Sequence, residues 1–153
     1  MKLSQRGEYA LRALLVLGSH PDEEVVSIQT IAREQNIPKK FLEQILNDLK
    51  KTGAIESRRG VMGGYRLARP AEEITLAIVL RHVEGALAPI SCVSERFYEK
   101  CSCPNEARCA IRNVMKEVRE QVVSLMEKVT VAELCKRARR LALEPVSTLD
   151  YVI

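Results

Sequence analysis

Residues 37–69, IPKKFLEQILNDLKKTGAIESRRGVMGGYRLAR, decide the fold. Pro38 sits well in the first turn of a helix, because its missing N–H would have no helical partner there. Phe41, Leu42, Ile45, Leu46 and Leu49 recur at the spacing that puts all five on one helical face. Lys50 and Lys51 fall in the last turn, where the macrodipole favours cations, and Gly53 ends the helix. Ala54–Arg58 and Tyr65–Leu67 then flank a glycine-rich tip, Gly60–Gly64, which predicts a short β-hairpin.

Upstream, Ser27 is a good N-cap for a helix carrying Ile28, Ile31 and Ala32, and Asn36 suits the left-handed residue that stops it. Two helices joined by so short a turn, the second with a polar outer face, form a helix-turn-helix, and the hairpin after them is a wing. A first helix is expected from Ser4 to Gly18, with Leu3, Ala10, Leu11, Leu14, Leu15 and Leu17 on a broad apolar face. Residues 20–24 form a polar loop closed by Val25-Val26, a short strand. Downstream, Thr75 caps a fourth helix that runs through Val83 and stops at Gly85.

The longest helix is expected from Asn105 to Val129, where Ile111, Met115, Val118, Val122, Leu125 and Val129 alternate in steps of four and three. That is a heptad seam. A chain this small has little else to cover ~30 Å of helix, so the seam predicts a homodimer interface. A final helical stretch begins near Thr130 and carries Ala132, Leu134, Cys135 and Ala138. The fold class is therefore mainly α with a small β-hairpin wing: a winged helix-turn-helix over 1–85, a cysteine-rich sensor loop over 86–109, a dimerisation helix over 105–129, and a C-terminal helix and tail over 130–153.

With 46% hydrophobic and 29% charged residues, the chain has the mix of a soluble globular protein. The early apolar run Ala13–Leu17 is far shorter than a membrane span and no cleavage site follows it, so a cytoplasmic location is expected. The net charge of +4 is concentrated: residues 1–69 hold 12 Lys/Arg against 8 Asp/Glu, and 70–153 hold 12 against 12. A localised basic excess is the footprint expected for a phosphate backbone, although a solvated face would carry one too. Lys39, Lys40, Glu43, Gln44 and Asn47 lie on the polar face of the third helix. Lys can reach phosphates or guanine, Gln and Asn can read adenine, and Glu can accept from cytosine. Arg58 and Arg59 stand beside the wing tip, suited to a minor groove. No nucleophile–base constellation or paired carboxylates stand out, so no enzyme is expected. His20 and His82 are isolated.

Four of five cysteines fall in one segment, residues 92–109, CVSERFYEKCSCPNEARC, with eight, one and five residues between successive cysteines. Disulfides are disfavoured in a reducing compartment, so Cys92, Cys101, Cys103 and Cys109 point to metal or redox chemistry. Thiolates ligate iron–sulfur clusters and structural zinc alike; the lack of a CxxC pair weakens zinc, and cluster-free reactive thiols stay open. Cys109, at the start of the long helix, is placed for a thiolate stabilised by the helix dipole. Cys135, at helical spacing with Leu134 and Ala138, reads as core.

The stretches MKLSQRGEYALRALLVL, IPKKFLEQILNDLKKTGAIESRRGVMGGYRLARP, EEITLAIVLRHVEG and the cysteine segment together resemble the Rrf-type winged helix-turn-helix regulators, over about residues 1–140. The resemblance implies a homodimer on palindromic double-stranded DNA, with Lys40, Glu43 and Arg59 at DNA-reading positions. Cluster-binding members carry three cysteines whose pattern falls on Cys92, Cys103 and Cys109, here with a longer first gap and the extra Cys101. The implied cofactor is an iron–sulfur cluster, the two-iron two-sulfur form favoured over the four-iron four-sulfur form. Some relatives supply an acidic ligand from the first helix of the partner subunit, at the position of Glu8. A histidine found three residues after the last cysteine in one branch is replaced here by Arg112. Beside a cluster-sensing regulator stand two alternatives: a cluster-free thiol or small-molecule-sensing repressor, and an iron–sulfur or zinc protein that binds no DNA.

Overall fold

The computed structural model describes residues 3–21 and 24–144; the expected tail beyond Glu144 and part of the 20–24 loop lie outside them. Six helices and one antiparallel hairpin follow in the order α1 (Gln5–Ser19), α2 (Ile28–Gln35), α3 (Lys39–Lys51), β1 (Ile55–Arg58), β2 (Gly64–Leu67), α4 (Leu76–Val83), α5 (Ala110–Lys128) and α6 (Val131–Leu143). Ser4, Ser27, Thr75 and Thr130 each accept a hydrogen bond from the backbone N–H three residues on, satisfying a donor the helix itself cannot. Asn36 adopts φ 50° and ends α2, as its short polar side chain allows.

One core joins these elements. Ala10, Ala13, Leu14 and Leu17 of α1, Ile31 of α2, and Leu42, Leu46 and Leu49 of α3 bury together with Ile55, Leu67 and Ile74. Val131 and Cys135 of α6 complete that core, so the chain returns to its first helix near its end. The return is stitched in place: Leu76 N–H donates to the Val129 carbonyl at 2.9 Å, and Val131 N–H to the Ile74 carbonyl at 2.8 Å.

Three local expectations change. Gly18 does not end α1, which runs on to Ser19; a Cβ there would stand 2.7 Å from Val131 Cγ1 and 2.9 Å from Cys135 Sγ, so the glycine admits α6. Phe41 leaves the apolar face and is 57% exposed, while Asp48, from the polar side of the pattern, is buried. The long helix begins at Ala110 rather than Asn105, because residues 106–108 form a tighter turn, capped by Asn105, and Cys109 becomes the N-cap. The seam on α5 is only partly covered within the chain: no α5 residue is buried, Met115 and Val122 are half-buried, and Ile111 and Leu125 are 66% and 63% exposed. No helix among the described residues is long and apolar enough to cross a membrane.

Candidate DNA-binding surface and cysteine site

α3 presents Lys39, Lys40, Glu43, Gln44 and Asn47 to solvent, and the hairpin presents Arg58 and Arg59 beside it. Among the described residues Lys39, Lys40, Arg58 and Arg59 make no ion pair, which leaves four cations for an anionic partner. The helix is set by a charge beneath it. Asp48 on its inner side takes hydrogen bonds from Arg6 of α1 and, at 3.1 Å, from Lys51. Burial would raise the Asp48 carboxyl, but the two cations outweigh it and hold the group below its usual range. The wing is fixed at its base in the same way. Ile55–Arg58 pair with Leu67–Gly64, and Val26 adds a third segment, exchanging hydrogen bonds of 2.8 and 2.9 Å with Tyr65.

The four clustered thiols come together beyond α4. Cys103 Sγ lies 3.4 Å from Cys109 Sγ, and the Cys101 thiol interacts with both Cys92 and Cys103. Cys109 Sγ accepts from the Arg112 N–H at 3.4 Å, and this bond, with the neighbouring thiol and the Arg112 charge, lowers its pKa. The Cys103 thiol is pushed up to about 12 by its bonds with Cys101 and Cys109, and burial raises Cys92. A thiol lowered in pKa beside two that are raised is the donor chemistry of a ligand site. Among the described residues no three His, Cys, Asp or Glu side chains gather round a point for a single metal ion.

Arg112 does more than replace a family histidine. Its guanidinium donates to the Cys92 carbonyl at 3.1 Å and pairs with Glu106 at 3.2 Å, tying both ends of the loop to α5. Arg119, two turns further along the same face, donates to the Val93 carbonyl at 2.9 Å. The loop also touches the DNA-binding half. Phe97 packs over Gly85, and Glu84 accepts from the Ser4 hydroxyl at 2.6 Å, at the N-terminus of α1. A chain of contacts thus runs from the end of α4 through Glu84 and α1 to Arg6, Asp48 and α3. Glu8 is exposed and pairs with Arg12 at 3.2 Å. Arg6, Glu84, Arg112 and Arg119 carried no local signal in the sequence; their partners are 42, 80, 20 and 26 residues away.

The comparisons agree with this geometry. The chain is 37% identical over 138 residues to Protein rrf2 of Nitratidesulfovibrio vulgaris, covering 90% of this chain and 89% of that one. The solved structure of CymR (YrzC), the global cysteine regulator of B. subtilis, superposes with a TM-score of 0.75 at 26% identity, over 90% of this chain and 98% of that one. IscR of T. potens does so with a TM-score of 0.74 at 26% identity, over 95% and 93%. The family model described as "Rrf2: Iron-dependent Transcriptional regulator" matches residues 3–137, and with this winged helix-turn-helix the chain belongs to the Rrf2 family of transcriptional regulators.

Proposed function

We propose that the chain binds a palindromic operator as a homodimer and that an iron–sulfur cluster, held by its loop thiols, sets the affinity. The observation that carries this reading is the close approach of Cys103 to Cys109, with Cys109 itself the N-cap of the α5 helix that bears the seam. Lys39, Lys40, Glu43 and Gln44 enter a major groove while Arg58 and Arg59 reach the flanking backbone and minor groove. Ile111, Met115, Val118, Val122 and Leu125 meet their counterparts across the dimer axis. Cys92, Cys101, Cys103 and Cys109 supply the ligands, with Glu8 of the partner subunit as an oxygen donor where one thiol is left out. When bound, the cluster supplies a redox-active, oxidant-sensitive centre.

The protein's own part is mechanical. Arg112 and Arg119 hold the loop against α5, Phe97 rests it on Gly85, and the neighbouring Glu84 holds the end of α4 against α1. Ordering or releasing the loop shifts α1, and α1 bears on α3 through Arg6 and Asp48. Coupling of this kind is typically ~1–3 kcal/mol. The test is an anaerobic purification with iron and sulfide assay, followed by titration of loaded and unloaded protein on an operator recovered from random duplexes. Iron with sulfide, visible absorption lost in Cys92→Ala and Cys109→Ala but kept in Cys135→Ala, and unequal affinities are expected. Protein without iron, or equal affinities, refutes the sensor. The 3.4 Å separation of Cys103 and Cys109 favours a second reading in that event: a peroxide oxidises the pair to a disulfide, releasing water, and that bond is the switch.

A further inference from the structure

The wing tip carries two large apolar side chains that the fold does not use. Val61 is fully exposed and Met62 is 90% exposed. They are the two central residues of a tight turn closed by Gly63 N–H to the Gly60 carbonyl at 2.9 Å. Central turn positions on a solvent-exposed hairpin ordinarily take Gly, Asn, Asp or Ser. Here glycines surround the pair instead: Gly60 has φ 115°, and a Cβ at Gly63 would stand 2.6 Å from the Arg58 carbonyl oxygen and 2.8 Å from that of Gly60. The backbone is therefore shaped tightly around two residues that bury nothing within the chain. Local rules are broken most often where function requires it.

What the tip meets is set by its neighbours. Arg58 and Arg59 lie on the same hairpin with no ion pair among the described residues, and α2's Ile28 and Gln29 face the wing across a cavity of about 350 Å³ lined also by both arginines. An apolar point flanked by cations matches the minor groove of a duplex, whose walls are phosphates and whose floor is base edges and sugars. Resting on the DNA-binding reading above, we infer that Val61 and Met62 form a wedge that presses between base pairs of the flanking minor groove and bends the operator. Because Val26 and Tyr65 pin the base of the hairpin, the wedge reaches the duplex already shaped. Specificity then extends to positions no polar side chain reads: a flexible TA or CA step under the wing is deformed more readily than a stiff one.

The experiment compares the full-length protein with Val61→Ser/Met62→Ser and Val61→Leu/Met62→Leu on end-labelled duplexes. These carry the operator recovered by the wild type, with a TA or an AA step beneath the wing. The serine pair should bind the TA duplex roughly tenfold more weakly, the net of lost apolar contact against relieved unstacking. It should also bend the duplex less by energy transfer between the end labels and keep the wild-type salt dependence, since no charge is removed. The leucine pair should restore both affinity and bend. Unchanged binding and bending by the serine pair overturns the wedge and leaves the DNA-binding reading intact, as does an equal preference for TA and AA steps in wild type and variant. A wild type that binds no duplex overturns both. Both side chains stand in solvent, so unaltered melting of the serine pair confirms that its fold is kept.

Discussion

Replacing Gly64 by alanine tests how firmly the wing is anchored. A Cβ at this residue would stand 2.7 Å from the carbonyl carbon of Val26, closer still to its oxygen, and 2.9 Å from Val25 Cγ1. Backbone cannot swing aside as a side-chain end can, so the Val26 segment has to move off the hairpin. That movement opens the Val26 N–H to Tyr65 bond at 2.8 Å and its 2.9 Å return bond. Two hydrogen bonds at roughly 0.5–1.5 kcal/mol each, with about 1–3 kcal/mol of overpacking strain, give a loss of roughly 2–6 kcal/mol. At about 2–4 °C per kcal/mol for a chain of this size, the melting temperature should fall by roughly 5–20 °C. Gly53→Ala is the control. Its φ of 70° carries a backbone penalty, but nothing lies within 4 Å of the added carbon, so only about 1–2 kcal/mol is expected. Melting followed by circular dichroism measures both, and operator titration at a temperature where each variant is folded should show loss for Gly64→Ala alone. A Gly64→Ala protein as stable as the wild type, or less affected than Gly53→Ala, would refute the reasoning.

Val122→Glu places a charge in the α5 seam, where pairing of two copies would bury it without a partner. It should elute as a monomer and lose operator binding, whereas a wild type sedimenting as a monomer at micromolar concentration would remove the basis for the interface. Because Asp48 is held below its ordinary 3.8, its contribution to stability is present above that value and lost as pH falls through the lower folded-state value. Asp48→Asn should therefore be less stable at neutral pH by about 1 kcal/mol, a figure kept small because Arg6 is half exposed. Its melting temperature should also fall less than that of the wild type between pH 5 and pH 2; parallel curves would count against the Arg6 contact. Gly18→Ala, which crowds Val131 and Cys135, should lose about 1–3 kcal/mol in urea unfolding, and an unchanged midpoint would show that α6 sits elsewhere.

The caps at Ser4, Ser27 and Thr75 and the left-handed Asn36 could be read because each acts within three or four residues of itself. The hairpin was legible for the same reason. Gly18 misled because a glycine in a helical pattern signals an end or a close approach equally well, and only the arrival of α6 from 113 and 117 positions later, at Val131 and Cys135, decides between them. Asn105 resembled a helix start because it does cap a turn, but that turn is the tighter one over 106–108. The cysteine segment stood out by composition, and the structure brings Cys103 and Cys109 to 3.4 Å. How the thiols lie relative to one another, and the arginines that tie their loop to α5, rest on contacts with no periodicity to betray them.

The stitch between Ile74–Leu76 and Val129–Val131 bears on how the protein is made. During synthesis the first 74 residues emerge with most of the DNA-binding core but with the groove beside Gly18 open, since Val131 and Cys135 have yet to be translated. Everything between, the cysteine loop and α5 included, leaves the ribosome first. The core around α1 therefore closes late, through contacts far apart in sequence, and at 5–20 residues per second it waits several seconds for its last piece. A nascent chain interrupted within α5 exposes its thiols and its seam while its DNA-binding half is unfinished, so truncation there should yield a species for the proteases rather than an unregulated DNA-binding fragment.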